Sequence, residues 1–254
     1  MVSRSLVARV RDLRLRKGRE RRGLALAEGI RLVEEALAAR LAIRHALASP
    51  ALEASPRGRR LQAELTRAGV EIEPVAEKLF STLTATDQPQ GVLAVVELPR
   101  WSLADVAVGP ARPVLVLDGV QDPGNVGTMI RTAFGLGGAG VLALPGTAEL
   151  ANPKTLRATM GAAFRIPVVG VGEPALRRWA EERRVEVWLA EPGPRWAGPP
   201  AGPVAIVLGN EGAGIRPSLA AWARGSVGIP LRPGAESLNV AVAAGILLYE
   251  VTRG

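Results

Sequence analysis

The sequence predicts an α/β protein of two domains, a small α/β domain followed by a larger one built on a mostly parallel sheet. Three observations predict it. A chain of 254 residues exceeds one typical domain of roughly 150 residues and can bury a sizeable core. Val114-Leu-Val-Leu117, Val141-Leu-Ala-Leu144 and Ala205-Ile-Val-Leu208 are fully apolar runs separated by helical stretches, the pattern of parallel strands covered on both faces. Between Pro99 and Pro113 the periodicity lapses into Pro, Gly and small residues, which is linker composition. The expected domains are therefore 1–98 and 113–254, joined by a linker at 99–112.

The elements follow in order. Leu6, Val10 and Leu13 recur at helical spacing within a basic amphipathic helix. An extended Leu24–Ala27, a helix Gly29–Ala39 and a strand Ile43–Ala48 come next, then a helix near Arg59–Ala68, an apolar segment ending near Phe80, and the β-rich run Gly91–Leu98. Beyond the linker, further strands are expected at Ile166–Val171, Val185–Ala190 and Val227–Ile229, and a last helix at Val240–Val251. That helix is rich in Ala and apolar on more than one face, which suggests burial on both sides, a subunit interface included.

Composition removes many chemistries. The longest apolar run, Val240–Leu248, falls short of the roughly 18 residues a membrane span needs. With no hydrophobic signal core the expected compartment is the cytoplasm. The chain has no cysteine and one histidine, His45, so disulfides, thiolate nucleophiles and cysteine metal sites are excluded, and no metal is expected.

The net charge is +8, carried by 29 Arg and three Lys, and residues 1–22 alone hold nine cations against Asp12 and Glu20. Such a segment favours a polyanion through phosphate contacts and counterion release, and arginine adds bidentate phosphate binding. Arg14, Arg16, Arg19, Arg21 and Arg22 are the candidate nucleic-acid contacts. The competing account is a solvated basic helix.

Gly135, Gly137 and Gly140 spell GxGxxG, but a helix precedes them and a strand follows, the reverse of a dinucleotide-binding loop. They read as a helix end and connection. Asparagine is more informative. Only Asn125, Asn152, Asn210 and Asn239 occur, all beside strand ends or helix starts. Asn152, just before Pro153, reads as an N-cap. Asp122-Pro-Gly-Asn125 starts a helix in which Arg131 has apolar neighbours; a shielded arginine there needs an anionic partner, either a ligand or an acid such as Asp118. Gly209-Asn-Glu-Gly-Ala-Gly214 follows a strand directly, where glycines admit close backbone approach to a ligand and Glu211 stands out. Ser237 suits the N-cap of the last helix, and Asn239 in its first turn needs a partner for its amide.

Three blocks, DPGNVGTMIRTA at 122–133, LGNEGAG at 208–214 and IPLRPGAESLNVAVAAGILLYE at 229–250, closely resemble the signature motifs of the SpoU (TrmH) family of S-adenosylmethionine-dependent RNA ribose 2′-O-methyltransferases, in the SPOUT superfamily. Leu231 and Pro233 stand where Met and Gly are commoner. The first domain, with RERRG at 19–23, AEGIRLVEEAL at 27–37 and TDQPQGVLAVVE at 86–97, resembles the RNA-binding substrate domain that often precedes this fold. The resemblance implies a parallel α/β sheet with a deep trefoil knot, an exception to the rule that chains are unknotted. It implies S-adenosylmethionine held at Leu208, Gly209, Ile229, Leu231 and Leu238, a homodimer with the last helix in its interface, and catalytic roles at Asn125, Arg131, Glu211, Ser237 and Asn239. A guanidinium does not deprotonate readily, so Arg131 is read as binding the target phosphate and polarising the 2′-hydroxyl, oriented by Glu211 and Asn125, while Ser237 and Asn239 shape the pocket. Ribosomal RNA is expected ahead of transfer RNA. Alternatives are a non-catalytic RNA-binding or ribosome-assembly protein on the same fold, a transfer-RNA 2′-O-methyltransferase, and a methyltransferase acting on a base.

Overall fold

The computed structural model describes residues 2–193, 195 and 200–253. In chain order the first half comprises α1 (Arg4–Leu13), α2 (Arg16–Arg22), β1 (Leu24–Glu28), α3 (Ile30–Ala38), β2 (Ile43–Ala48), α4 (Pro50–Glu53), α5 (Pro56–Arg67), β3 (Ile72–Pro74), α6 (Glu77–Leu83) and β4 (Val92–Glu97). There follow β5 (Val114–Asp118), α7 (Pro123–Gly135), β6 (Gly140–Ala143), α8 (Pro153–Thr159), β7 (Val168–Gly170) and α9 (Glu173–Arg183). The chain continues through β8 (Glu186–Ala190), β9 (Val204–Gly209), α10 (Pro217–Ala220), β10 (Gly225–Val227) and α11 (Val240–Thr252).

The basic N-terminal segment is two helices rather than one. Ser3 caps α1 by accepting from Leu6 N at 3.1 Å, and Leu6, Val10 and Leu13 bury its apolar stripe. In α2, Gly18 comes so close to the Asp12 carbonyl that a Cβ would not fit there, which lets the second helix fold back against the end of the first, and Gly23 ends α2 in the left-handed conformation at φ 64°.

Contacts divide the chain into two units, one running to Arg100 and including Ala151–Phe164, the other formed by Trp101–Leu150 and the chain from Arg165. The return of 151–164 to the first unit has a packing cause: Leu156 and Phe164 complete its core with Val33, Leu61 and Val92. Its four-stranded sheet has the order β1-β4-β2-β3, antiparallel except for the β2–β3 pair. Glu28, at the end of β1, is only 5% exposed. Donors satisfy it: the N–H groups of Ala85 and Thr86 at 2.9 and 3.1 Å, the Thr86 hydroxyl, and Arg157 Nη1 at 3.4 Å.

The second unit carries a six-stranded sheet of order β10-β8-β9-β5-β6-β7, parallel throughout. Its interior combines Val116, Leu142 and Val207 of the strands with Leu176 and Trp179 of α9. The chain moves outward from β5 through β6 to β7, then returns to the other side of β5 by way of β8 and β9. Loops leaving β5 and β9 therefore diverge, and ligands of open α/β sheets bind at such a switch point. The expected strand Ile166–Val171 shortens to Val168–Gly170, and Val227–Ile229 shifts to Gly225–Val227, since Pro230 has no N–H for a ladder and Ile229 leaves the sheet ahead of it. The GxGxxG glycines form the α7–β6 connection, with Gly137 at φ 76° and Gly138 N donating to Ala133 O at 2.8 Å. Asn152 caps α8 by accepting from Lys154 N. Among the described residues no helix is long and apolar enough to cross a membrane.

Candidate active site

The site is assembled from loops at the C-terminal ends of β5 and β9 and from the start of α11. Asp122 caps α7, its Oδ1 accepting from Asn125 N at 2.8 Å, and Pro123 supplies the first-turn φ. This places Asn125 in the first turn of α7, facing the loop after β9. That loop folds back tightly: a Cβ on Gly209 would lie 2.5 Å from the Gly214 carbonyl carbon and 2.6 Å from Ile215 N. Reciprocal bonds between the main chains of Asn210 and Gly214, both 3.0 Å, close the turn. The glycine at 209 is thus required by the loop's own backbone. Asn210 Oδ1 accepts from Gly212 N and Ala213 N at 2.9 and 2.8 Å, and its Nδ2 donates to Gly119 O at 2.8 Å. One amide therefore ties the two loops together.

Glu211, carried on that turn, reaches across to α7. Its Oε2 accepts from Gln121 N at 3.2 Å, and its Oε1 from Asp122 N at 3.4 Å and from Asn125 Nδ2 at 3.1 Å. Burial pushes its carboxyl up, but hydrogen bonds from Asn125, from its own backbone N–H and from those of Gln121 and Asp122 outweigh this, so it ionises below the ordinary glutamate range. Asn125 Oδ1 in turn accepts from Asn239 Nδ2 at 3.1 Å. Asn239 is the N-cap of α11, its Oδ1 accepting from Ala241 N and Val242 N at 2.9 and 3.3 Å. This corrects the expectation for Ser237: the helix begins one residue after Asn239, too far on for Ser237 to cap it.

Beside this network lies a cavity of about 740 Å³, within the range of small-molecule sites. Leu208, Gly209, Ile229, Leu231 and Leu238 line it, and Glu211, Ser237 and Asn239 share its wall. Gly228, also in the wall, passes so close to the Gly193 main chain that no side chain could be accommodated.

Arg131 departs from expectation. It lies six residues beyond Asn125 on α7, about 9 Å along the axis, and it is exposed, with no hydrogen bond or ion pair to any described residue. Neither Glu211 nor Asn125 orients it; their hydrogen-bonding groups are committed to each other, to the loops and to Asn239. Asp118 is not its partner either. That carboxylate, 3% exposed, accepts from Arg216 N at 2.7 Å and Arg216 Nε at 2.6 Å, while Arg216 Nη2 donates to Pro145 O at 3.0 Å. The loop after β9 delivers Arg216 to the end of β5, whereas Arg131 is carried away along α7. Arg216 is a positioning residue that motif reading did not single out, with a lone acid at the end of an apolar strand, Asp118, as the available signal; Asn210, noted as one of four asparagines, also acts as a positioning residue.

The basic segment also needs correction. Arg19 is 4% exposed, and its Nη1 donates to the carbonyls of Leu13 and Arg14, both at 2.8 Å. It closes the C-terminus of α1 and is not available to RNA. Arg14 donates to Thr82 O at 2.8 Å, Arg16 pairs with Glu20 at 2.7 Å, and Arg21 and Arg22 both pair with Asp12. Arg4, Arg11 and Lys17 are exposed and have no partner among the described residues. No group of three or more His, Cys, Asp or Glu disposed to hold a metal occurs among the described residues.

Comparison with known proteins agrees with this geometry. Residues 112–249 match the SpoU rRNA methylase family, and residues 5–94 the MRM3-like substrate binding domain. The chain is 37% identical over 244 residues to the 23S rRNA (guanosine(2553)-2′-O)-methyltransferase RlmP of Bacillus subtilis, covering 95% of this chain and 93% of that protein. It is 30% identical to a 23S rRNA (uridine(2479)-2′-O)-methyltransferase of Streptomyces viridochromogenes, covering 94% and 85%. Among solved structures, the AdoMet-bound rRNA methyltransferase from Sinorhizobium meliloti superposes with a TM-score of 0.84 at 32% identity, over 100% of this chain and 97% of that one. The SpoU methyltransferase AviRb from Streptomyces viridochromogenes, in complex with AdoMet, gives 0.86 at 27% identity over 98% of each chain. With its family match spanning all three loops of the site, the chain belongs to the SpoU rRNA methylase family.

Proposed function

We propose that this chain transfers a methyl group from S-adenosylmethionine to a ribose 2′-hydroxyl of 23S ribosomal RNA. The observation that carries the reading is the hydrogen-bonded chain Glu211–Asn125–Asn239 at the wall of the cavity, which unites residues from all three motif loops. The cavity fits the cofactor chemically: Leu208, Ile229, Leu231 and Leu238 offer apolar faces, the glycine-rich turns offer backbone polar groups, and carboxylates suit a cationic sulfur.

The bound cofactor supplies an already activated methyl, so transfer needs in-line placement and removal of one proton. The chain's residues provide the placement. Glu211, Asn125 and Asn239 hold the loops after β5 and β9 against α11. Arg131, without a partner among the described residues, binds the phosphate next to the target ribose and polarises its hydroxyl. Ser237 presents a hydroxyl on the shared wall. Arg4, Arg11 and Lys17 add phosphate contacts, with Arg14, Arg16, Arg21 and Arg22 contributing their outward N–H groups. The deep trefoil knot that the motif resemblance implies is part of this reading.

A homodimer is part of this reading. Phe134 of α7 and Val242 and Tyr249 of α11 are 45%, 52% and 47% exposed, an apolar face that a second copy would cover. The reaction takes place in the cytoplasm. The relatives act on a guanosine in one case and a uridine in another, so the family alone does not choose the nucleotide.

The test is transfer of labelled methyl from S-adenosylmethionine into size-separated, unmodified ribosomal and transfer RNA, followed by alkaline hydrolysis. Label in an alkali-resistant dinucleotide from 23S RNA is expected. Label in transfer RNA, or an alkali-labile product, would overturn the substrate or the ribose assignment, and a protein that binds RNA but no cofactor would overturn the enzyme.

A further inference from the structure

The cavity is acidic within a basic protein. Its described wall contains Glu191, Glu211 and Glu236 and no Lys, Arg or His, in a chain of net charge +8. Glu211 is bound to the α7 loop. Glu191, just beyond β8, is held in place: its Oε2 accepts from Ser226 Oγ at 2.5 Å and its N–H donates to Val227 O at 3.1 Å. That leaves its second carboxylate oxygen without a hydrogen bond to any described residue. Glu236, next to Ser237, has no hydrogen bond or ion pair among the described residues. Two exposed glutamates therefore stand in this wall with no basic residue among its described members.

We propose that Glu191 and Glu236 are specificity determinants that favour the cationic sulfur of S-adenosylmethionine over the uncharged thioether of the spent cofactor. The proposal rests on the cofactor assignment above. During transfer the C–S bond breaks and its electron pair returns to sulfur; the ribose oxygen bonds the methyl carbon and its proton passes to solvent. Sulfur enters the cavity positive and leaves it neutral. A unit charge at several ångström in a water-like medium changes affinity by about threefold, so two carboxylates give a preference of about tenfold, weakened by salt. The spent cofactor loses this hold at the moment it forms, which limits product inhibition.

The test measures calorimetric affinities of three ligands that share adenosine and amino-acid groups: S-adenosylmethionine, its amine analogue sinefungin, which carries an ammonium in place of the sulfonium methyl, and S-adenosylhomocysteine, neutral at sulfur. The double variant Glu191→Gln, Glu236→Gln should bind the first two about tenfold more weakly than the wild type does and the third within twofold. An equal loss for all three would mean that the carboxylates contact the shared groups, and no change would mean that they do not act on the ligand; either overturns the proposal. Should the double variant fail to fold, the wild type still decides: raising salt from about 20 to about 500 mM should shrink the preference for S-adenosylmethionine over S-adenosylhomocysteine several-fold, and a constant ratio would overturn it. Failure of the cofactor assignment looks different, since none of the three ligands would then bind the wild type.

Discussion

Asn239 Nδ2 donates to Asn125 Oδ1 at 3.1 Å, joining side chains 114 residues apart in sequence and fastening the first turn of α7 to the N-cap of α11. Both amides bond in two directions, Asn239 as cap and donor, Asn125 as acceptor and as donor to Glu211. Asn239→Ala removes the cap and the bond together. It should cost about 1–2 kcal/mol and lower Tm by about 2–6 °C, with turnover at least tenfold down. Asn239→Ser restores a cap oxygen without the reach of the amide. Thermal melts should show its stability recovered while single-turnover methyl transfer stays low.

Glu211 ties stability to pH. Its folded carboxyl ionises below the ordinary range, so its contribution is complete above the unfolded-state value and is lost as pH falls through the lower folded value. Urea unfolding of the wild type and Glu211→Gln should therefore differ by a constant amount between about pH 8 and pH 5.5, and the gap should close below about pH 4.5. A gap that widened on acidification would contradict the hydrogen-bond pattern.

Arg216→Ala leaves the Asp118 carboxyl buried and without its guanidinium partner. A loss of about 2–4 kcal/mol is expected, with faster amide exchange across 209–216 because the loop is no longer fastened to the end of β5. Arg216→Lys keeps the charge but cannot serve Asp118 and Pro145 O with one planar fork, so its stability should fall between the two.

Arg131 is exposed and has no partner among the described residues, so Arg131→Ala should alter stability by less than about 0.5 kcal/mol while reducing turnover on RNA by about a hundredfold or more. Arg131→Lys should be severely impaired as well, because a point charge does not reproduce bidentate placement. Near-wild-type turnover of the lysine variant, or an alanine variant that lost only RNA affinity, would refute the geometric role.

Arg19 and its exposed neighbours should separate cleanly. Arg19→Ala strands two carbonyls at the end of α1 and should cost about 1–3 kcal/mol with little effect on the salt dependence of RNA binding. Arg11→Ala and Lys17→Ala should leave stability unchanged and each lower the slope of log affinity against log salt by about one.

Much of this protein could be read from its sequence because the relevant signals are local. Apolar runs such as Val114–Leu117 announce parallel strands, Pro123 after Asp122 and Pro153 after Asn152 announce helix starts, and the glycines of 209–214 announce a turn at a strand end; each depends on residues a few positions apart. The three motif blocks also placed Asn125, Glu211 and Asn239 at a common site. What tertiary structure decided was which side chains meet. Asp118 took Arg216 rather than Arg131, Asn239 displaced Ser237 as the cap, Arg19 turned inward to close α1 while Arg11 and Lys17 stayed outside, and Leu156 and Phe164 joined a core begun more than a hundred residues earlier. These outcomes follow from how the folded backbone brings segments together, and a pairing between residues 86 to 114 positions apart leaves no periodic trace in the chain, because its energy exists only once the backbone has brought both partners within hydrogen-bond distance.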